Sequence, residues 1–366
     1  MKVQELSAEQ TADPGYDLCI VGGGIIGVLT AYQAAITYPN IRIALVERGE
    51  FGLGASQYAA ALSSTLASTV LVGELSSESD RFYLNLAREN PTLPIRQLPI
   101  IYVGDSSDPI LHTTRTITEV KPDDPRFSLP LSQLTNAHRL LYGGDVLHIE
   151  PLGLIKSLVG KLRTFANVNC FKYTSVESVQ IMPEDKLWLN TNRVFGIKAE
   201  QVLLALGPWS LFHQMTRSSV EVSCRNKKIV TMRLDVSPPG NCPVIFFPKE
   251  DAFLLPTDEQ FLFSIRSDEW DIQPDQKLLI SDADRRNGRR ILERYAPNLL
   301  DYYDDRDVFC DCYSSNSEPV IIPHNRLSKV FIATGGNGRG VRLAPAIAHK
   351  ALTKLIPTSN YTQNSY

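Results

Sequence analysis

No stretch of this 366-residue chain comes near the roughly 20 consecutive apolar residues that a membrane-spanning helix needs. A membrane partner is therefore not expected. The first 15 residues are polar and lack the apolar segment of a secretory signal, which makes the cytoplasm the expected compartment. Cysteine is sparse. The six thiols stand at 19, 170, 224, 242, 310 and 312, form no C-x-x-C pair and have no matching histidine spacing. That excludes the common zinc frameworks, so no metal is expected, and it suits buried thiols in a reducing compartment. An excess of charge of one sign is also missing. Thirty-seven Lys and Arg stand against 40 Asp and Glu, a net charge of −3, too small a field to recruit nucleic acid or an anionic membrane.

What is present is enough chain for two domains, since 366 residues exceed what one hydrophobic core fills. Residues 16–21 are an apolar run entering a glycine cluster, as a buried parallel strand would. A helix is expected over about 24–37, ending ahead of Pro39, and a strand over 42–46, which completes a β-α-β unit. Residues 76–90 are helix-like, 97–103 strand-like and 121–131 a Pro- and Asp-rich connection. Pro151 suits the first turn of a helix running to about 164, with strands following at 167–173 and 202–206. From 226 to about 270, short alternating runs broken by Pro and Gly predict an antiparallel sheet. The helix expected at 282–295 carries Arg285, Arg286, Arg289 and Arg290, read as a solvated face. A last strand, 330–334, leads to a helix at about 343–355 and a polar tail, 357–366, expected to be disordered. No internal repeat is evident. The expected fold class is α/β (α+β overall). A Rossmann-like domain with a mostly parallel sheet would be assembled from 1–80, 145–225 and 320–366. An antiparallel-sheet domain would be built from 81–144 and 226–319.

Two glycine clusters carry the chemistry. The first, Gly22-Gly23-Gly24-Ile25-Ile26-Gly27, matches G-x-G-x-x-G. In this pattern Gly22 permits the tight turn, Gly24 lets backbone approach a pyrophosphate and Gly27 lets helix pack on strand, while the helix N-terminus offers N–H groups to the phosphates. The match follows a strand, opens a helix and is followed, twenty residues after Gly27, by Glu47, placed to accept a hydrogen bond from a ribose hydroxyl. The second cluster, Gly335-Gly336-Asn337-Gly338-Arg339-Gly340-Val341, also lies between a strand and a helix, over 300 residues away. Glycine there lets backbone lie close to a flat ring. By itself it could equally be an ordinary strand–helix turn.

In order along the chain stand the first cluster, Val46-Glu47-Arg48-Gly49, Gly54-Ala55-Ser56 and Val146-Leu147-His148-Ile149-Glu150-Pro151. Ala205-Leu206-Gly207-Pro208-Trp209-Ser210, Arg266-Ser267-Asp268-Glu269-Trp270-Asp271 and the closing glycine stretch through Leu343-Ala344-Pro345-Ala346 follow. Together these segments resemble the D-amino-acid-oxidase family of FAD-dependent oxidoreductases, most of all its glycine/sarcosine oxidase branch, over nearly the whole chain. The resemblance implies a bound FAD, with its adenosine on the first β-α-β unit. Gly22, Gly24, Ile25, Ile26, Gly27, Glu47 and Arg48 would hold its nucleotide and pyrophosphate, Val176 would lie on the adenine side, and Ser56, Ala61 and Leu62 would line the pyrophosphate and flavin. Gly338, Arg339, Gly340 and Val341 would sit at the isoalloxazine ring, and Gly207 would be a further FAD contact. The antiparallel-sheet domain would roof the flavin and bind substrate.

The reaction implied is oxidation of an amine or amino acid: hydride passes from the α-carbon to flavin N5, the imine hydrolyses, and O2 reoxidises the flavin to give H2O2. The partners are then a small-molecule amine or amino acid and O2. A homo-oligomer is left open, as are a dehydrogenase using another acceptor and an oxidase acting on an amine within a macromolecule. No catalytic dyad is needed, and His148 and His324 are read as structural. Substrate contacts are where the family pattern breaks. The position eight residues before Pro319, where relatives carry a carboxylate-clamping arginine, holds Asp311. Either Asp311 meets a cationic or amine-bearing substrate, or it is a solvated loop residue and Arg339 or Arg342 clamps a carboxylate. Phe253 stands where the glycine oxidase branch has a tyrosine, and is read either as a site residue or as sheet core. Some relatives bind flavin covalently through cysteine, but the spacing of Cys310 and Cys312 fits buried structural thiols better. Asp311, Phe253 and Arg339 are the candidates at the reacting end.

Overall fold

The computed structural model describes residues 15–63, 67–104, 117–131, 138–211 and 223–356, with only the backbone described at 303–307. The expected tail and the first 14 residues lie outside these. Among the described residues seventeen strands fall into two sheets, with five helices of two turns or more.

The first sheet contains β1 (Tyr16–Val21), β2 (Ile43–Val46), β7 (Val168–Phe171), β8 (Val176–Ile181), β9 (Leu187–Thr191), β10 (Ile197–Leu204), β16 (Val320–Pro323) and β17 (Val330–Thr334). Its centre is five parallel strands in the order β7-β2-β1-β10-β17. Antiparallel β16 closes one side, and the β8–β9 hairpin pairs with the start of β10. The central strands read as unbroken apolar runs, Leu18-Cys19-Ile20 and Ile43-Ala44-Leu45-Val46, because both sheet faces are covered. One face packs on α1 (Ile25–Thr37), α3 (Pro151–Leu162) and α5 (Gly340–Leu355), the other against side chains of the hairpin such as Leu187 and Leu189. The helix expected at 76–90 is longer, α2 (Val70–Glu89), because Thr69 caps it: its hydroxyl oxygen accepts from the Val72 N–H at 3.2 Å.

The second sheet has nine strands: β3 (Leu62–Ser63), β4 (Ile95–Gly104), β5 (Thr118–Val120), β6 (Arg139–Ile149), β11 (Cys224–Leu234), β12 (Val244–Phe247), β13 (Ala252–Pro256), β14 (Phe261–Trp270) and β15 (Tyr303–Ser314). It is antiparallel apart from the β4–β12 pairing. The antiparallel region expected from 226 to 270 is present, and β6 and β15 add long strands the sequence did not announce. Helix α4 (Asp282–Tyr295) covers the outer face through Ile291, Leu292 and Tyr295. Its arginines are spread over the exposed side, Arg285 pairing with Asp282 at 3.0 Å and Arg290 with Glu250 at 2.5 Å.

Beneath α4, the Lys228 side chain is 2% exposed and meets Asp284 and Glu269, each at 2.7 Å. Burial disfavours its charge, yet the two carboxylates outweigh that and lift the Lys228 pKa above its usual value. The β11 pleat turns alternate residues to opposite faces. Val230 and Met232 follow Lys228 into this core, and Lys227, Ile229 and Thr231 face the other way.

Candidate functional site

The turn after β1 is dictated by glycine. Gly22 has φ +112°, and a Cβ on it would lie 2.3 Å from the Ala205 carbonyl oxygen. A Cβ on Gly27 would lie 1.9 Å from the Gly22 carbonyl oxygen, so helix and strand touch backbone to backbone there. Gly24 differs. Its φ of −74° is open to any residue, and a Cβ would meet only the Ser56 hydroxyl oxygen, at 3.3 Å. The side on which Gly24 lacks a side chain is open space.

That space is a cavity of about 980 Å³ at the carboxyl ends of β1, β2, β10 and β17, near the upper limit of about 1,000 Å³ for small-molecule sites. It is placed where open parallel sheets bind ligands. Of the residues the sequence singled out, Gly22, Gly24, Ile25, Ile26, Glu47, Arg48, Ser56, Ala61, Leu62, Val176 and Gly207 line it, as do Phe253, Asp311, Gly338, Arg339, Gly340 and Val341. Gly27 does not, being used in packing.

Several of these brace the walls. The Glu47 carboxylate accepts from the N–H of Gly23 at 2.7 Å and of Gly49 at 2.8 Å, tying the end of β2 to the glycine turn. Ser56 accepts from the Ile25 N–H at 3.0 Å. Ala61 holds a left-handed backbone, φ 50°. Neither Gly24 at the start of α1 nor Arg339 at the start of α5 caps its helix with its own side chain, so apart from the Ile25 N–H held by Ser56 both N-termini present backbone N–H groups where they meet the cavity. A Cβ on Gly207 or Gly340 would meet nothing within 4 Å. An elongated ligand with phosphates near one end and a flat ring near the other fits this lining.

The second sheet supplies the opposite wall: Lys227, Ile229 and Thr231 of β11, Phe246 of β12, Phe253 of β13, residues 264–267 of β14, and Phe309, Asp311 and Tyr313 of β15. Phe253 stacks on Phe246 with ring centres 6.1 Å apart, so it is at once cavity lining and sheet packing. Asp311 is a strand residue rather than part of a solvated loop. Its two oxygens accept from the backbone N–H of Cys312 at 2.8 Å and of Gly338 at 2.7 Å, which fastens β15 to the second glycine turn. Burial raises its pKa against the opposing pull of these N–H groups. Arg339 donates to the Ser68 hydroxyl at 2.8 Å and reaches the Ser317 and Asn337 carbonyls at 3.4 Å. Arg342, 3% exposed, also borders the cavity. Cys310 and Cys312 are buried beside it and do not line it; all six thiols are free. His148 and His324 do not reach it either.

Sequence reasoning missed three contributors. Lys227 and Tyr313 bear on the reacting end. Asp275, in the connection after β14, accepts from the Trp209 indole at 2.8 Å and the Arg48 guanidinium at 3.2 Å across the cavity mouth, with Arg48 lying over the Trp209 ring. For Lys227 a signal existed: adjacent residues of a strand face opposite sides of the sheet, so two consecutive lysines cannot both be solvated once one side is core.

A glycine-turned β-α-β cradle, a second glycine turn opposite it and an antiparallel roof define a dinucleotide-dependent oxidoreductase fold. The profile of the FAD dependent oxidoreductase family, DAO, matches residues 17–354, and the chain belongs to that family. FAD is its cofactor. Among solved structures, glycine oxidase from Geobacillus kaustophilus is similar at 18% identity and a TM-score of 0.74, over 93% of this chain and 94% of that one. L-proline dehydrogenase from P. horikoshii is similar at 17% identity and a TM-score of 0.79, over 95% and 94%. At such identities the likeness is one of fold. The mitochondrial L-2-hydroxyglutarate dehydrogenase of Caenorhabditis briggsae is 63% identical over 35 residues, which are 10% of this chain and 8% of that protein. Among the described residues no helix is long and apolar enough to cross a membrane, and no cluster of His, Cys, Asp and Glu could hold a metal.

Proposed function

We propose that this protein oxidises a small amine or amino acid at the carbon bearing nitrogen. The observation that carries the reading is the convergence of the two glycine turns and one face of the second sheet on a single cavity. The roles proposed for its residues follow from position. Gly22, Gly24, Ile25, Ile26, Glu47, Arg48, Ser56 and Val176 hold the nucleotide and pyrophosphate. Ala61, Leu62, Gly207 and residues 338–341 flank the flavin ring. Phe253, Tyr313 and Arg339 bound the substrate space, with Asp311 holding the 335–340 turn in place. The first sheet would then be the cofactor domain and the second the substrate domain. Bound FAD supplies a two-electron acceptor for the substrate's hydride. The aromatic walls exclude water from that space, and the imine product hydrolyses on release. Glycine oxidase and L-proline dehydrogenase, both similar in fold, bear names that concern amino acids, which supports the substrate class.

O2 is the proposed acceptor and a non-oxygen acceptor the alternative, since the neighbours include an oxidase and a dehydrogenase. Anaerobic addition of amines, amino acids and 2-hydroxy acids to the holoenzyme tests the substrate. Bleaching of the flavin band by an amino compound is expected, and bleaching by hydroxy acids alone would overturn the reading. Admission of air should then restore the colour with release of peroxide. Failure to recolour would move the acceptor away from O2.

A further inference from the structure

Lys227 is 8% exposed and borders the cavity. Its ammonium lies over the faces of Trp270 and Tyr313, 5.2 and 5.5 Å from the ring centres. Among the described residues it makes no hydrogen bond and has no carboxylate within the 4.0 Å of an ion pair. The next residue in the strand, Lys228, has two. A buried ammonium without a counter-ion is costly, and ring faces return only part of what a carboxylate would. Burial and the neighbouring Arg266 both press the Lys227 charge out, drawing its pKa below the usual lysine value.

A second cation meets the same space with no acid of its own. Among the described residues the Arg339 guanidinium bonds only to a hydroxyl and two carbonyls. The acids nearby do not compensate. Both Asp311 oxygens are engaged by backbone N–H groups, and Asp268 is drawn to Arg266 at 3.0 Å. Asp251 also borders the cavity and draws on both cations, but from an exposed turn where solvent screens it. The cavity thus holds two partly buried positive groups, carried by different elements, β11 and the start of α5, and among the described residues neither forms an ion pair.

We propose that the substrate is an amine bearing two carboxylates, one met by Arg339 and the second by Lys227, which selects acidic substrates over monocarboxylates. The proposal rests on the reading of this cavity as the flavin and substrate site. Lys227 would be a specificity residue, its point charge meeting an acid at the far end of the substrate while the planar guanidinium takes the near one.

The test uses holoenzyme and the change in flavin absorbance on titration with glutarate, butyrate or butylamine. Wild-type protein should bind glutarate about tenfold or more tightly than butyrate. Lys227→Gln and Lys227→Met should bring glutarate to the affinity of butyrate, with butyrate itself changed by about twofold or less, since the lost charge contacts only the second acid. FAD content should stay at the wild-type value, and Lys227→Arg should restore the preference. Equal binding of glutarate and butyrate by wild-type protein overturns the proposal. So does a preference that survives in the variants, or tighter binding of butylamine than of either acid. Protein isolated without FAD would overturn the functional reading itself. FAD-replete protein without the preference would overturn this proposal and leave the functional reading standing.

Discussion

Gly24 and Gly27 lie three residues apart in one motif and answer to different constraints. A Cβ at 27 collides with backbone of its own chain; one at 24 enters the cavity and meets only the edge of Ser56. Substitution should separate folding from cofactor binding. Gly24→Val is expected to yield a colourless protein whose unfolding midpoint is close to that of wild-type apoprotein, because its backbone is unstrained and only the Ser56 hydroxyl has to shift slightly. Gly27→Val should cost about 3 kcal/mol or more, since overpacking against backbone cannot relax by a rotamer change. Flavin absorbance and urea denaturation of the apoproteins read the two effects independently. A yellow Gly24→Val protein would show that the open side of Gly24 faces something other than the pyrophosphate.

At the scale of elements, α5 contains Pro345, which has no N–H to give the carbonyl of Val341 one turn earlier. The vacancy is filled from outside the helix: the buried Tyr83 hydroxyl of α2 donates to the Val341 oxygen at 2.6 Å. Ser79, one turn before Tyr83, accepts from the Ala346 N–H at 3.2 Å, and Gln33 of α1 donates to the Pro345 carbonyl at 2.9 Å. Three side chains thus fix the first turns of α5, the segment that carries Gly340 and Val341 into the cavity. Tyr83→Phe keeps the ring and orphans the carbonyl. It should destabilise the protein by about 1–3 kcal/mol and speed release of FAD, measured by fluorescence of the free cofactor after dilution. An unchanged release rate would mean that α5 is held by packing alone.

For the molecule as a whole, acid sensitivity should be set in part by His148, 4% exposed in β6 with the Arg96 guanidinium 3.5 Å from its Nδ1. Burial, aided by Arg96, lowers its pKa from 6.5 to about 4. Between those values the unfolded chain binds the proton and the native one does not, so stability falls as pH drops from 6.5 to 4 and is unaffected above that window. The loss amounts to about 3 kcal/mol. His148→Gln should flatten the pH dependence of the urea midpoint across this window, and an unchanged slope would assign it to other groups. The sequence made much of this fold legible, for reasons that also mark its limits. Parallel strands covered on both faces are continuous apolar runs, and the turns after β1 and β17 need glycine for steric reasons, so β1, β2, β17 and both glycine turns could be read directly. β6 and β15 could not, because polar and apolar residues in them are sorted by which sheet face they meet, and that depends on partners far along the chain. The reading of Asp311 as a solvated loop residue failed for the same reason: its partners, the N–H groups of Cys312 and Gly338, become visible only when β15 meets the turn before α5. Lys227 was overlooked because charge alone does not tell which of two adjacent lysines has its acids.

The bridge of Arg48, Trp209 and Asp275 stands in water, with Arg48 and Asp275 side chains 52% and 70% exposed, while the bonds that shape the cradle behind it are shielded. Contacts of that exposed kind are individually weak and screened by salt. The container is therefore expected to be sturdier than its clasp: salt that loosens the bridge should leave the bracing of the glycine turn in place.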